Sequence, residues 1–222
     1  MSTIQTIVDR MRVRLEEATA RKWSDADQLI PYASEAERFV ARDLSHMPKS
    51  KRFRYRESVT WTASSETFDL TTLTKRFDWL ISLAVSVSNL WYPINQFEDE
   101  DEQPLSNLSL GGGFVVPRIS IADDTLIREP TFGSAQTFRI RYGWIPAIKS
   151  SAATTLDVPD EYLQLVVTRA MHFANADAGI ANKAIDEEYA VLLGEVEDLE
   201  RSRLGIRNEQ VVQRARMFSR CR

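Results

Sequence analysis

Five consecutive carboxylates form the densest group of chemically reactive side chains in this 222-residue sequence: Glu98, Asp99, Glu100, Asp101 and Glu102. A calcium-binding EF-hand loop spaces its oxygen ligands and includes a turn glycine, and this run has neither feature. A glycosidase pair needs one carboxyl group that is shielded from water, and nothing around the run provides shielding. We therefore predict a solvated acidic loop. Its alternative roles are docking of a basic partner and repulsion of DNA from a channel wall.

A second cluster combines cations with aromatic rings, since Phe53 and Tyr55 are interleaved with Lys51, Arg52, Arg54 and Arg56. Grooves that bind single-stranded nucleic acid use this composition, with cations for phosphates and rings for bases. On a strand, however, the rings point away from the arginines, so they can face the core while the arginines protect an exposed edge. The cluster is therefore either a structural edge or a contact for nucleic acid or another anionic partner.

The C-terminal residues form a third cluster, in which arginines are mixed with apolar side chains. Residues 201–222 hold seven Arg and one Glu, whereas residues 1–200 hold 21 Lys and Arg against 31 Asp and Glu. A DNA-binding arm needs charge alone, whereas an arm that docks on protein gains from apolar anchors. We predict a protein-docking arm, with DNA contact and plain disorder as alternatives. Its contact residues are Arg207, Val211, Val212, Arg214, Arg216, Met217, Phe218 and Arg220.

Sequence signatures of catalysis are absent: there is no phosphate-binding loop, no dinucleotide-binding glycine motif, no HExxH and no GxSxG. His46 and His172 have no companions at metal-ligand spacing, and Gly111-Gly112-Gly113 precedes no helix that could bind phosphate. The single cysteine, Cys221, cannot close an intrachain disulfide. No window approaches the roughly 18 apolar residues that span a bilayer. We predict no catalytic, cofactor or metal site and no membrane partner.

Helical periodicity predicts the elements at both ends of the chain. Apolar spacings of four and three predict a helix over about residues 3–20, and Ser24 is a suitable N-cap for a second helix that extends to Leu44. A third helix begins after Pro159 and stops near Gly179. A fourth has a narrow apolar seam, and its periodicity ends past Leu204-Gly205; the seam residues are Ile185, Tyr189, Leu192, Val196 and Leu199.

Alternating residues predict strands between the two helical regions, most regularly over Ile81 to Val87 and Phe138 to Trp144. Short strands joined by short turns indicate an antiparallel meander. The predicted fold is α+β: an antiparallel helical bundle with an inserted antiparallel β region and an extended C-terminal arm. We assign residues 1–48 and 156–203 to the bundle, 49–150 to the β region and 204–222 to the basic docking arm.

This order of elements resembles the head-to-tail adaptor (connector) family of tailed bacteriophages, which includes tail tubular protein A and the portal-binding tail accessory factor. The resemblance covers about residues 20–205 and is one of pattern, with no catalytic string. The acidic run has no place in the family pattern. The matching stretches are Trp23 to Leu44, Ile81 to Val87 with Trp91-Tyr92-Pro93, Phe138 to Pro146, Val158-Pro159-Asp160-Glu161-Tyr162, Ala174 to Gly179 and Glu187-Glu188-Tyr189.

The resemblance implies a non-enzymatic structural protein that forms a homo-oligomeric ring, commonly of twelve subunits, between the portal protein and a downstream tail or nozzle protein. Double-stranded DNA would pass through it without sequence-specific contact, and the C-terminal arm would reach the portal. The implied location is the head-tail junction of the virion, after assembly in the host cytoplasm. The alternative is a nucleic-acid-binding protein that uses the basic strand 49–56 and the Arg-rich tail. A cell-wall-degrading enzyme is a further rival, but no carboxylate in the sequence is marked for that chemistry.

Overall fold

The computed structural model describes residues 2–15, 23–47, 51–94, 97–98, 109–110, 114–115, 117–129 and 133–219. It divides into two compact units, one formed by Met1–Arg52 with Pro146–Arg222 and the other by Phe53–Ile145. The first unit contains the helices and the second contains the strands. The predicted α+β class, a helical bundle with an inserted β region, is thereby confirmed.

The helical unit is built on the apolar stripes that the sequence displays. It comprises α1 (Ile4–Arg14), α2 (Ile30–His46), α3 (Leu163–Asp177) and α4 (Lys183–Ser219). Helix α3 supplies the central surface, because its apolar face packs against the other three helices. The side chains with no exposed surface include Ile4, Ile7, Val8 and Met11 of α1, Ala33, Val40 and Leu44 of α2, and Val166, Ala170 and Ala174 of α3.

The first helix ends at Arg14, and residues 16–20 of the predicted helix lie outside the described residues. Its last turn is held by a later segment: Arg12 donates to the carbonyl oxygen of Trp23 at 3.1 Å and pairs with Asp25. The predicted cap of the second helical segment is confirmed, because Ser24 Oγ accepts a hydrogen bond from the backbone N–H of Asp27 at 3.3 Å. A wide helical turn over Asp25–Leu29 then leads into α2.

Helix α4 is 37 residues long, and its backbone remains helical to Ser219, well past the point where its apolar period ends. Tyr189 and Val196 of the predicted seam are buried, whereas Leu199 is 40% exposed. The neighbouring Glu200 is buried in its place. The phenol of Tyr162 donates to Glu200 at 2.6 Å, so the buried carboxylate has a hydrogen-bond partner at this turn.

The β unit contains two four-stranded sheets and a two-stranded pair. The first sheet has the order β1-β10-β3-β4, with every pairing antiparallel. The second has the order β2-β9-β8-β5, in which β5 and β8 run parallel and the other pairs antiparallel. The strands are β1 (Arg54–Trp61), β2 (Thr67–Asp69), β3 (Phe77–Val87), β4 (Leu90–Ile94), β5 (Phe97–Glu98), β6 (Ser109–Leu110), β7 (Phe114–Val115), β8 (Arg118–Ala122), β9 (Thr125–Glu129) and β10 (Gln136–Trp144).

The meander prediction is wrong for the first sheet, because β10 inserts between β1 and β3. The physical reason is burial. Phe138, Ile140 and Tyr142 of β10 have no exposed surface, because a central strand has a neighbouring strand at each edge whose side chains flank its own. Residues of both sheets form one core, in which Trp61, Leu83 and Val85 from the first meet Ile119 and Leu126 from the second. The opposite face of the first sheet therefore points away from the second sheet.

Candidate docking surfaces

The C-terminal helix is held to the start of α3 by a cluster of charged and phenolic groups. Arg203 pairs with Glu161 at 2.6 Å and with Glu200 at 3.0 Å. Arg52 donates to the same Glu161 carboxylate at 3.0 Å, and its guanidinium lies 6.0 Å from the ring centre of Tyr162. We call Arg52, Glu161, Tyr162, Glu200 and Arg203 the basal cluster.

Electrostatics in the basal cluster favour the charged forms of its acid and base. The hydrogen bond from Arg203 lowers the pKa of Glu161, and Glu161 in turn raises the pKa of Arg203. Burial and the bond to Glu200 raise the pKa of the Tyr162 hydroxyl. Helix α4 is therefore fixed at residues 200–203, one residue before the predicted docking arm begins.

The side chains of the predicted arm, from Arg207 to Phe218, lie outside the residues whose side chains the structure describes, as does Arg220. The structure gives their backbone as helix up to Ser219. The backbone of the arm is therefore helical over most of its length, and in the sequence its basic and apolar residues are interspersed.

The structure distributes the predicted basic stretch 51–56 over two places. Arg52 belongs to the basal cluster, while Lys51 is exposed just before the β unit. Arg54 and Arg56 lie on β1, on the face opposite Tyr55, Val59 and Trp61, which contribute to the core. The separation of rings from arginines is as the alternation predicts. Phe53 precedes the strand with a positive φ of 53°, and its ring centre lies 5.0 Å from that of Trp144, with the two rings tilted by 47°.

Two further arginines share the outer face of the first sheet with Arg54 and Arg56. In the β1–β10 register, Arg56 lies opposite Arg141 and Ser58 lies opposite Arg139. We call Arg54, Arg56, Arg139 and Arg141 the basic face. From the sequence alone, the alternation of β10 predicts that Arg139 and Arg141 lie on the face opposite its core residues. Their union with β1 was not predicted, because strand pairing depends on the register of distant segments.

The basic face concentrates positive charge on a partly exposed sheet. Burial, and secondarily the charge of Arg141, lower the pKa of Arg54. The guanidinium of Arg139 lies 3.8 Å from the ring centre of Trp91 on β4. Among the residues described, Arg56, Arg139 and Arg141 have no carboxylate within ion-pair distance. Arg56, Arg139 and Arg141 can therefore accept an anion without first breaking an ion pair.

Sequence reasoning missed a carboxylate on the inner side of the same sheet. Glu57 accepts a hydrogen bond from the Tyr142 hydroxyl at 2.6 Å and others from Thr74 Oγ1 at 2.7 Å and Thr74 N at 3.1 Å. Burial and this bond raise the pKa of Tyr142. The alternation of β1 could have located Glu57 on the core side. Because Tyr142 and Thr74 both donate to it, the Glu57 carboxylate anchors the segment before β3.

The remaining candidates do not form a chemical site in the described part of the chain. Glu98 is the last residue of β5 by its backbone, and the other four carboxylates of the acidic run lie outside the described residues. His172 Nδ1 lies 2.7 Å from Asp186 Oδ1, between α3 and α4. In the described ranges, no group of three or more His, Cys, Asp or Glu is arranged to hold a metal ion. Within the same described ranges, no helix is both long enough and apolar enough to cross a membrane.

A protein-family model matches almost the whole chain. The model of the family described as SU10 adaptor protein matches residues 2–214. Among solved structures, one similar chain comes from the neck of an empty GTA particle computed with C6 symmetry. It is 14% identical, with 79% of this chain and 81% of that chain covered and a TM-score of 0.27. No curated protein matches the chain significantly.

Proposed function

Because the chain belongs to the SU10 adaptor protein family, we propose that it is a structural, non-enzymatic head-to-tail adaptor of a tailed bacteriophage particle. In this proposal it joins the portal to the tail as a ring of identical subunits, twelve in number, through which DNA passes. The family match over residues 2–214 is the observation that carries the proposal, because it includes both units and most of the C-terminal helix.

The C-terminal helix is proposed to dock on the portal. The basal cluster fixes α4 at Glu200 and Arg203, so the residues beyond extend from a held point. Residues 201–222 carry seven Arg and one Glu, and apolar side chains recur among them. Such a segment suits a protein groove lined by apolar and acidic groups, in which the arginines orient the helix and the apolar residues bury surface.

The body of the protein is proposed to form the ring around passing DNA. Residues 1–200 hold ten more acidic than basic side chains. Carboxylates on a channel wall repel phosphates, so DNA would pass without binding. Identical subunits whose contacts are head-to-tail close into a ring when the rotation between neighbours divides a full turn.

Deletion of residues 206–222 tests the docking arm, because it leaves the basal cluster intact. We expect the truncated protein to lose binding to emptied, portal-bearing heads, measured by co-sedimentation. Two full-length variants separate the chemistry of the arm. Met217→Ser with Phe218→Ser should lose binding, whereas Arg214→Lys with Arg216→Lys should keep it. Undiminished binding of the truncated protein would refute the docking role.

A mass measurement of the adaptor on its portal tests the ring. We expect about twelve subunits per portal ring, and a single bound copy would contradict the proposal. The alternative function, nucleic-acid binding through residues 49–56 and the tail, predicts tight binding of duplex DNA by the isolated protein with a steep loss on adding salt. Such binding, without binding to portal-bearing heads, would favour that alternative.

A further inference from the structure

The basic face has a surface chemistry that neither the family match nor the proposed arm explains. Its four arginines come from two strands that are distant in sequence and adjacent in the sheet. The face points away from the second sheet, because the inner side of the first sheet packs into the shared core. The exposed neighbours Ser58 and Thr60 add hydroxyl groups to the same side of β1.

The aromatic rings on this face are engaged by the protein itself, which argues against base stacking. Arg139 covers Trp91 at 3.8 Å from its ring centre, and Trp79 covers Gly143 so closely that a Cβ there would overlap the indole. What the face presents is therefore guanidinium groups. A guanidinium group binds a carboxylate through a planar, bidentate pair of hydrogen bonds, so an acidic peptide suits this surface.

We propose that the basic face binds the acidic segment, residues 98–102, of a second copy of this chain. The charges are complementary, since Arg56, Arg139 and Arg141 have no ion-pair partner among the described residues and the segment carries five consecutive carboxylates. The segment begins at the end of β5, which is a strand of the second sheet, whereas the basic face is the outer side of the first sheet. A contact between two different segments of identical copies can repeat from subunit to subunit around a closed ring. The inference rests on the proposed ring.

A binding experiment tests the recognition step without any ring. A fluorescent peptide of residues 96–105 is titrated into the full-length protein and followed by anisotropy. We expect saturable binding that falls at least tenfold in the variant Arg56→Glu with Arg141→Glu. The matched control Lys183→Glu changes an exposed cation at the start of α4 and should bind the peptide normally. A peptide with the five acids changed to amides should not bind. Equal binding by all proteins overturns the proposal.

Disulfide trapping tests the contact between copies. In a Cys221→Ser background, Ser58→Cys places a thiol beside Arg139 and Gln103→Cys places one beside the acidic segment, without removing a charge. Oxidation of the assembled protein should give a ladder of covalent multimers in denaturing gels. The control pair Ala181→Cys with Gln103→Cys should give none. A ring without the ladder, or cross-links only within one copy, overturns the proposal.

Charge exchange separates this inference from the proposed function. Arg56→Glu with Arg141→Glu should weaken subunit association at least tenfold in sedimentation analysis. Adding Glu100→Arg and Asp101→Arg should restore much of it. If the reversed face leaves assembly intact and instead abolishes duplex DNA binding, the face is a nucleic-acid contact and the inference fails while the adaptor function stands. If the wild-type protein neither forms rings nor binds portals, the proposed function fails by itself, and the peptide titration still decides the recognition step.

Discussion

The ion pair between Glu37 and Lys149 holds the segment that follows the β unit onto α2. The Glu37 side chain has no exposed surface, and that of Lys149 is 7% exposed. Lys149 Nζ lies 2.7 Å and 2.6 Å from the two carboxylate oxygens, and the Val158 backbone N–H donates to the same carboxylate at 3.2 Å. The Lys149 backbone N–H donates to Ser34 Oγ at 2.8 Å, which fixes the segment at another point.

Replacing Glu37 by Ala should destabilise the helical unit by about 4 kcal/mol. Removal of one member of a buried ion pair costs about 3–5 kcal/mol, because the other charge stays buried. The backbone N–H groups of Asp157 and Val158 also lose their acceptor, at about 1–3 kcal/mol for a buried group. Asp157 Oδ2, at 2.9 Å from Lys149 Nζ, offsets part of this loss because it still neutralises the ammonium.

Lys149→Met should cost about 3 kcal/mol, since it leaves a buried carboxylate with backbone donors alone. The double variant Glu37→Ala with Lys149→Met removes both charges of the pair and should cost clearly less than the sum of the same two single changes, with a coupling of about 3 kcal/mol. At about 2–4 °C per kcal/mol for a chain of this size, Glu37→Ala should lower the melting temperature by about 8–16 °C.

Urea unfolding followed by two probes can assign this effect to the helical unit. Far-UV circular dichroism reports mainly the helices, whereas four of the five tryptophans belong to the β unit. The dichroism midpoint should fall and the fluorescence midpoint should change little. Glu35→Gln is the control, because Glu35 pairs with Arg38 at 2.8 Å while 55% exposed, and it should cost under about 0.5 kcal/mol. Single changes that cost less than about 1 kcal/mol, or an additive double variant, would refute the reasoning.

Three further changes probe the bundle and the sheet. The pKa of Glu161 is lowered by its pairing with Arg203, so this pair stabilises the fold above the ordinary carboxyl pKa near 4.3, and the stabilisation is lost as the pH falls through the folded pKa. Glu161→Gln should therefore make stability fall less steeply with pH on the acid side. An unchanged acid dependence would contradict this. Gly143→Ala should displace the indole of Trp79 and shift the tryptophan emission, and an unaltered spectrum with full stability would show that the packing is looser than described. Tyr142→Phe removes a hydroxyl that is bonded to a half-buried carboxylate and should cost about 1–2 kcal/mol in urea unfolding, whereas a gain in stability would count against the bond.

Much of the fold follows from local patterns. The four-three spacing of Ile4, Val8 and Met11 predicts α1, and the Ser24 cap predicts the start of the next helical segment. Helix ends were less predictable. α1 ends at Arg14 with Leu15 as its C-cap, and α4 continues past Gly205, where no apolar period marks it.

The candidate surfaces divide in the same way between local and distant causes. The alternation of β10 shows from sequence that Arg139 and Arg141 face away from Phe138 and Ile140. Arg56 lies next to them because β1 pairs with β10, which is more than 80 residues away in sequence, and the spacing of apolar residues does not predict which strands pair. Arg52 matched a strand edge in composition, yet a carboxylate more than 100 residues away binds it.

Residue types and local periodicity are sufficient to predict the α+β class, the buried faces of the helices and strands, and the charge asymmetry of the chain. The strand order, the basal cluster, the basic face and the buried pair of Glu37 with Lys149 become visible only in the folded structure. Each of these joins groups that are far apart along the chain. Their energies arise from burial and from charge in a space that only the folded backbone encloses.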